Sequence, residues 1–192
     1  ATFFIFYAGL ARAMEIKTLS LGSTQAIVVV VDSKQDDLQL FLQDRQGKPL
    51  QSFKRVRQQL ANSKLKLSFA MNAGMFHPDY SPVGLYVAQH KQLFALNDSN
   101  GFGNFFIQPN GVFFKDAEGF HVLTTQDYAQ QQHRLKPILA TQSGPMLVVD
   151  GVINPHFNAD SGSVYVRNAV GVLSPRHAVF VITAQPVNFY AL

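Results

Sequence analysis

The chain has no cysteine and no tryptophan in 192 residues. The first absence excludes disulfide staples, thiolate nucleophiles and sulfur-ligated zinc. Charge is also scarce: 15% of residues are charged and 47% hydrophobic, which excludes a disordered polyelectrolyte and describes a globular chain with a real core. The positive surplus is small, 16 Lys and Arg against 12 Asp and Glu, and no dense basic run exists. Lys54, Arg55 and Arg57 come nearest to a cluster, and their spacing places them on the solvated face of a short helix, so no nucleic-acid partner is expected. The six histidines show no H-x-x-x-H spacing; neither a metal site nor a cofactor is expected. No internal repeat, low-complexity stretch or interdomain linker interrupts the chain.

What is present is a succession of short apolar runs separated by turn residues. AIVVVV (residues 26–31) reads as a buried strand, and Leu38, Leu40 and Leu42 as a second that pairs with it or lies beside it. Phe53, Val56 and Leu60 fit one helix face, with Ser52 as N-cap. Strands are expected at residues 65–71, 84–88, 104–108, 112–114, 120–123, 138–141, 164–172 and 178–183. Pro109-Asn110-Gly111 and Asp150-Gly151 are read as tight hairpin turns, the latter between residues 146–149 and 152–153. A helix is expected from Thr125 or Gln126 to about Leu135, and another starting at Pro186. Strands outnumber helices and their connections are short. The fold class is therefore α+β: a mainly antiparallel, twisted β-sheet with a few packed helices, in one domain.

The start of the chain reads differently. FFIFYAGL (residues 3–10) is an apolar run, too short to span a bilayer, followed by Ala11-Arg12-Ala13. An apolar core followed by A-x-A is the pattern of a secretory signal peptide, which predicts residues 1–13 as its remnant and Met14 as the mature N-terminus. The alternative is an ordinary first strand or buried helix. A signal peptide implies a periplasmic or secreted protein, and the lack of cysteine suits a bacterial envelope.

Candidate site residues gather where strands end in small polar residues. MNAGMF (residues 71–76) is a strand that stops at Asn72, Ala73 and Gly74, which either present an amide to a ligand or close a tight turn. The loops LNDSNGFG (96–103), TQSGPML (141–147) and residues 154–162 are rich in Asn, Ser and Gly, and can line a polar pocket if the strand ends meet at one rim. Ser143 lacks the G-x-S-x-G frame of a hydrolase nucleophile and is read as a hydrogen-bonding residue, with Gly144 as a point of close backbone approach. Arg167 lies in an apolar run, where an unpaired guanidinium is costly. It needs a partner, either a ligand phosphate or carboxylate held by its planar fork or an internal ion pair with Asp150 or Asp160. His77, His156, Asp79, Asp98 and Asp160 sit in candidate loops, and none stands out as acid, base or ligand.

Four stretches in order, MNAGMF, NFFIQPNGVFF (104–114), TQSGPML and VRNAVGV (166–172), resemble the phosphodiester glycosidase family, over roughly residues 27–192. The resemblance implies an exported glycoside hydrolase that cleaves a sugar-1-phosphodiester in a glycan or cell-envelope substrate. The alternative is a non-catalytic carbohydrate- or anion-binding envelope module on the same scaffold. It implies Arg167 and Asn72 as catalytic residues, and Gly74, Ser143, Gly144, Asn168 and Asn110 as substrate-binding ones. The sequence departs from the family at Asn168, where Thr or Ser usually follows the Arg. A Leu-Asp-Gly-Gly-like motif, whose Asp the family places at its site, is not reached by Leu192. On this reading residues 14–192 are a phosphodiester glycosidase-like domain incomplete at its C-terminus, and the chain as it stands is expected to be weak or inactive.

Overall fold

The β-branched run becomes the middle of β3 (Thr24–Asp32), the longest strand. The computed structural model describes residues 14–22, 24–61 and 65–192, together with the backbone of residues 3–8. In chain order the strands before the first helix are β1 (Phe3–Ala8), β2 (Glu15–Leu21), β3 and β4 (Asp36–Phe41). Helix α1 (Phe53–Ala61) follows, then β5 (Phe69–Asn72), β6 (Tyr86–Ala88), β7 (Lys91–Phe94), β8 (Gly111–Lys115) and β9 (Phe120–Thr124). Helix α2 (Thr125–Gln131) leads to β10 (Leu139–Ser143), β11 (Val148–Val149), β12 (Val152–Ile153), β13 (Asn168–Ser174) and β14 (His177–Thr183).

Every strand pairing among the described residues is antiparallel. The strands form sheets of order β4-β1-β5, β7-β6-β10-β8-β9 and β13-β14-β3-β2, plus the β11-β12 ribbon. The fold is thus α+β and mainly sheet, as the sequence predicts. The three large sheets share one core: Val29, Val31, Ala178 and Phe180 from the third, Phe113, Phe120 and Leu139 from the second, and Leu38 and Met71 from the first. Period-two alternation explains how one strand serves two layers. In β8, Phe113 enters this core and meets the Phe180 ring edge-on, while Val112 and Phe114 face α2 and pack with Tyr128. In β5, Phe69 and Met71 face the shared core, and Ala70 packs on the Val56–Leu60 face of α1. Asn72 is on the Ala70 side by the same alternation.

The helix starts follow their capping chemistry. The Thr124 hydroxyl accepts from the Asp127 backbone N–H at 3.0 Å and donates to its carboxylate at 2.6 Å. The Ser52 hydroxyl accepts from the Arg55 N–H at 3.4 Å. The Asp150-Gly151 turn has both residues at positive φ, 52° and 79°, as a two-residue hairpin of the primed type requires.

The structure corrects four expectations. β4 does not pair with β3: β3 lies between β14 and β2, while β4 pairs with β1, because the turn at residues 33–35 carries the chain into another sheet. Asn104–Phe106 is a 3-10 turn rather than a strand; Gly103 enters it at φ 97°, so Pro109-Asn110-Gly111 joins no hairpin. Of the 164–172 run only residues 168–172 are strand, as the first part of β13 (Asn168–Ser174), and Arg167 stands just before it. Residues 186–192 form turns rather than a helix, because Val187 is held as a bridge to Tyr165. The Ala11-Arg12-Ala13 segment lies outside the described residues. The backbone of Phe3–Ala8 pairs with β4 on one side and β5 on the other.

Candidate functional site

β10 ends in the segment that gathers most of the predicted residues. Thr141 and Gln142 are buried although polar, because β6 and β8 flank β10 on both sides. Ser143 pairs with Gly111 across to β8 and is half-buried. Gly74 rests on the same strand end: a Cβ there would stand 2.9 Å from the Gln142 carbonyl oxygen. A Cβ on Gly144 would collide with the Phe105 carbonyl and approach the Asn110 Cβ to 2.9 Å. Both glycines are therefore close-approach positions, as read for Gly144, and Gly74, Ser143, Gly144 and Asn110 share one neighbourhood. Asn110 is 2% exposed and donates through Nδ2 to the Phe105 carbonyl at 3.0 Å, while its Oδ1 is buried without a partner among the described residues.

Arg167 belongs to a second neighbourhood. It is 8% exposed, although its flanking valines, Val164 and Val166, are themselves about half exposed. Aromatic rings cover it, one from within the run and one from beyond it. The guanidinium carbon lies 3.8 Å from the Phe189 ring centroid and 5.0 Å from that of Tyr165. Nε donates to the Val187 carbonyl at 3.2 Å, and Nη2 to the Ser163 carbonyl at 2.7 Å and its hydroxyl at 3.3 Å. Nη1 makes no hydrogen bond among the described residues. The ion pairs among those residues involve Lys17, His121, Arg176 and His177, so the pairing of Arg167 with Asp150 or Asp160 is not made. Burial pushes the guanidinium pKa down from its ordinary value, and the group that opposes this is the Tyr165 phenol, not a carboxylate.

One loop ties the two neighbourhoods together. Asn154 donates to the Met146 carbonyl at 3.0 Å and the Gln108 carbonyl at 3.3 Å, on the β10 side. Phe157 stacks on Phe189 at 5.3 Å between ring centroids, so the ring that covers Arg167 is itself covered from this loop. Asn188 holds the loop's far part through the Ala159 carbonyl at 2.7 Å. Among the described residues, no hydrogen bond or ring contact of the Arg167 side chain is with Asn72, Ser143 or Asn168. Asn168 is exposed at the first position of β13. Asp79 accepts from the Ser81 hydroxyl at 2.6 Å and its backbone N–H at 2.9 Å, which lowers its carboxyl pKa and marks it as a turn cap. Among the described residues, no three His, Asp or Glu side chains gather where they could hold a metal ion.

A family model for phosphodiester glycosidase matches residues 66–190. The chain belongs to the phosphodiester glycosidase family. It is also similar to the uncharacterized protein YigE of Escherichia coli (strain K12), 38% identical over 129 residues, which is 67% of this chain and 50% of that protein. The chain thus spans about half the length of the curated relative it matches. No solved structure matches.

Within this phosphodiester glycosidase fold, sequence reasoning passed over Gln142. Its side chain is 1% exposed and uses its whole hydrogen-bonding capacity. Oε1 accepts from the N–H groups of Leu85 at 3.0 Å and Asn97 at 2.9 Å. Nε2 donates to the Asn97 carbonyl at 2.7 Å and the Thr125 hydroxyl at 3.0 Å. Its neighbours in β10, Thr141 and Ser143, are polar as well, so nothing in the local sequence singled it out. Asn154 escaped notice too, as an asparagine in a loop already full of polar residues.

Proposed function

We propose that this chain is a hydrolase that cleaves the C1–O bond of a sugar-1-phosphodiester, acting outside the cytoplasm on a glycan or cell-envelope substrate. Family membership supports the reaction class. The observation that carries the reading is Arg167: a buried residue whose guanidinium lies over two aromatic rings, with no carboxylate partner and with Nη1 unengaged among the described residues. A buried cation without a counter-charge is costly, and a phosphodiester supplies the missing charge in a form that a planar fork recognises.

The chemistry asks little of general acids. An ordinary glycoside leaves as an alkoxide and must be protonated, whereas here the departing group is a phosphate monoester, already a stable anion. Water adds at C1, the C1–O bond breaks, and the proton released from water passes to solvent or to the phosphate. Arg167 would hold the phosphate through both states and meet the charge that accumulates on the leaving oxygen. Asn110, with its free buried Oδ1, and the close-approach backbone at Gly74 and Gly144 would accept and donate to sugar hydroxyls, Ser143 and Asn168 at the margin. Asn72 is carried only as the strand-end amide that the family motif implies.

The second reading, a non-catalytic carbohydrate- or anion-binding envelope module, has one observation in its favour: no carboxylate among the described residues interacts with Arg167, so none is at hand to assist water there. One experiment separates the two. Wild type and Arg167→Lys are titrated with a panel of sugar-1-phosphodiesters, and free sugar is measured alongside binding. Binding with sugar release supports the hydrolase; binding without release supports the module. Equal binding by Arg167→Lys and wild type overturns the phosphate grip in either case.

Export rests on the apolar run followed by Ala11-Arg12-Ala13. N-terminal sequencing of protein recovered from the periplasm or medium should begin at Met14; a soluble cytoplasmic product retaining residues 3–10 rejects it. Cleavage there would remove the strand that lies between β4 and β5.

A further inference from the structure

The loop at residues 97–105 touches the end of β10 at both of its own ends. At its start, the Asn97 backbone N–H and carbonyl both pair with the Gln142 amide, as one strand pairs with another. At its finish, the Phe105 carbonyl lies directly against Gly144 and accepts from Asn110. Asn97 is fixed a second way, donating to the Val83 carbonyl at 2.8 Å and accepting from the Ser99 N–H and hydroxyl at 3.1 and 2.6 Å. Phe106 closes over Gly101, where any Cβ would meet its ring at 2.7 Å. From this anchored frame the loop presents Phe102 wholly to solvent, 102% exposed. Gln142 completes all four of its hydrogen bonds in holding this frame, two of them to Asn97, so the start of the loop is fixed without an unsatisfied group on that amide.

We propose that Gln142 is a positioning residue: its amide sets the loop at residues 97–105 against the end of β10, and the loop forms the wall of the sugar-phosphate site above Gly144 and Asn110. The assignment of a substrate to that wall rests on the function proposed above; the anchoring by Gln142 does not. Two features separate Gln142 from a merely packed residue. Its partners lie in three distant segments, Leu85, Asn97 and Thr125, so it joins elements that are not neighbours in sequence. Among the described residues, its Nε2 is also the group that donates to the Asn97 carbonyl.

The test is Gln142→Glu, which preserves shape. Glu keeps an oxygen for the Leu85 and Asn97 N–H groups. Its other oxygen can donate to the Asn97 carbonyl only when protonated. Burial raises a carboxyl pKa, to as high as about 8–9 in documented cases, so the variant should resemble wild type at low pH and lose the loop as pH rises. Hydrogen exchange of the full chain reads this directly: amides at 97–105 should exchange faster with rising pH, beyond the intrinsic chemical dependence seen in wild type, while β3 and β14 stay protected. Thr125→Val, which removes only the α2 contact, should leave loop exchange unchanged. If the loop is the site wall, kcat/KM of Gln142→Glu should fall by about ten- to a hundredfold across the same transition, and added sugar 1-phosphate should slow loop exchange in wild type. Uniform loosening of all strands, or loop exchange that does not depend on pH in the variant, overturns the anchoring. Loop release with unchanged kcat/KM, or with no protection by sugar 1-phosphate, overturns the wall. A wild type that turns over no sugar phosphodiester removes the proposed reaction while the exchange measurements still decide the anchor.

Discussion

Gln142 and Arg167 are both buried polar side chains in the second half of the chain, and the fold treats them in opposite ways. Every hydrogen-bonding position of Gln142 is filled by protein. Arg167 is held at Nε and Nη2 and lies over two aromatic rings, but its Nη1 is unengaged and no carboxylate pairs with its charge among the described residues. A saturated group has nothing left to offer a ligand, so its value is in the parts it connects. An unsaturated, desolvated cation is costly to the folded state alone and is repaid when an anion arrives. Asn110 lies between these cases, with its donor used and its acceptor free. The three define a scale from scaffold to site, and substitutions along it should move from stability effects to functional ones.

The largest stability effect is expected at the saturated end. Gln142→Leu leaves the Leu85 and Asn97 N–H groups, the Asn97 carbonyl and the Thr125 hydroxyl without their partner. At roughly 1–3 kcal/mol for each group that stays buried and unsatisfied, and with Asn97 able to recover water at the loop, the loss should be about 4 kcal/mol by chemical denaturation. A loss under about 1 kcal/mol would mean that solvent already serves these groups, and the contrast with Arg167 would disappear.

Arg167→Ala should show the reverse balance. Loss of one aimed charge-stabilising donor typically costs about a hundredfold or more in turnover, which is the expected fall on any sugar-1-phosphodiester the wild type cleaves. The stability change should be near 1 kcal/mol, because the freed Ser163 carbonyl is on an exposed residue and the lost ring contacts are offset by relief of a desolvated charge. Arg167→Lys, which keeps charge but not the fork, should fall between. Unchanged turnover in Arg167→Ala would return the residue to the scaffold end of the scale.

Asn110→Ala should cost about 1–2 kcal/mol in stability: it removes an orphaned acceptor, but it leaves the carbonyl of buried Phe105 without the hydrogen bond that Asn110 donates. If Oδ1 is kept free for a substrate hydroxyl, KM should rise with little change in kcat, because a contact made equally in ground and transition states affects binding alone. A large stability loss with unchanged KM would identify Asn110 as scaffold.

How much of this was legible in the sequence depended on the range of the interaction. A β-branched run placed β3, alternation placed β4, short apolar runs between turns placed β8, β9 and β14, and Asp150-Gly151 announced its hairpin, because those signals lie within a few residues. The run at residues 104–106 reads as strand on propensity, yet it is a 3-10 turn packed against Asn110, five positions on, and against Gly144, far along the chain. Pro186 reads as a helix start, but the Val187 backbone is committed to Tyr165 and Arg167. Arg167 was legible as a buried cation in need of a partner, though for the wrong reason: the rings that bury it are Tyr165 and Phe189, not the valines beside it. Gln142 was not legible, since its partners stand 57, 45 and 17 positions away. Local chemistry is written locally; a residue whose task is to join distant segments looks ordinary until those segments meet.

The smallest effect is expected where water competes for every contact. Asp32, at the end of β3, accepts from Arg176 at 2.8 Å through Nε and 2.7 Å through Nη2, with the His177 Nε2 at 3.8 Å. Its carboxyl pKa is lowered from 3.8 to about 2, first by the Arg176 hydrogen bond. The folded state therefore holds this carboxylate ionised at a pH where the unfolded chain has begun to protonate it. The sign follows from linkage: the stabilisation is complete above about pH 4, shrinks as pH falls toward 2, and is gone once both states are protonated. Arg176 is half exposed, so solvent and salt screen the pair and the whole effect should be near 0.5 kcal/mol. Asp32→Asn should lower stability by about that amount at neutral pH, and by progressively less between about pH 4 and about pH 2. High salt should narrow the difference. Denaturation midpoints of wild type and variant, measured across that range at two salt concentrations, give the check. A gap that persists unchanged at pH 2 would show that Asp32 acts through the turn hydrogen bond its side chain accepts from the Lys34 N–H rather than through charge, and would move it toward the Gln142 end of the comparison.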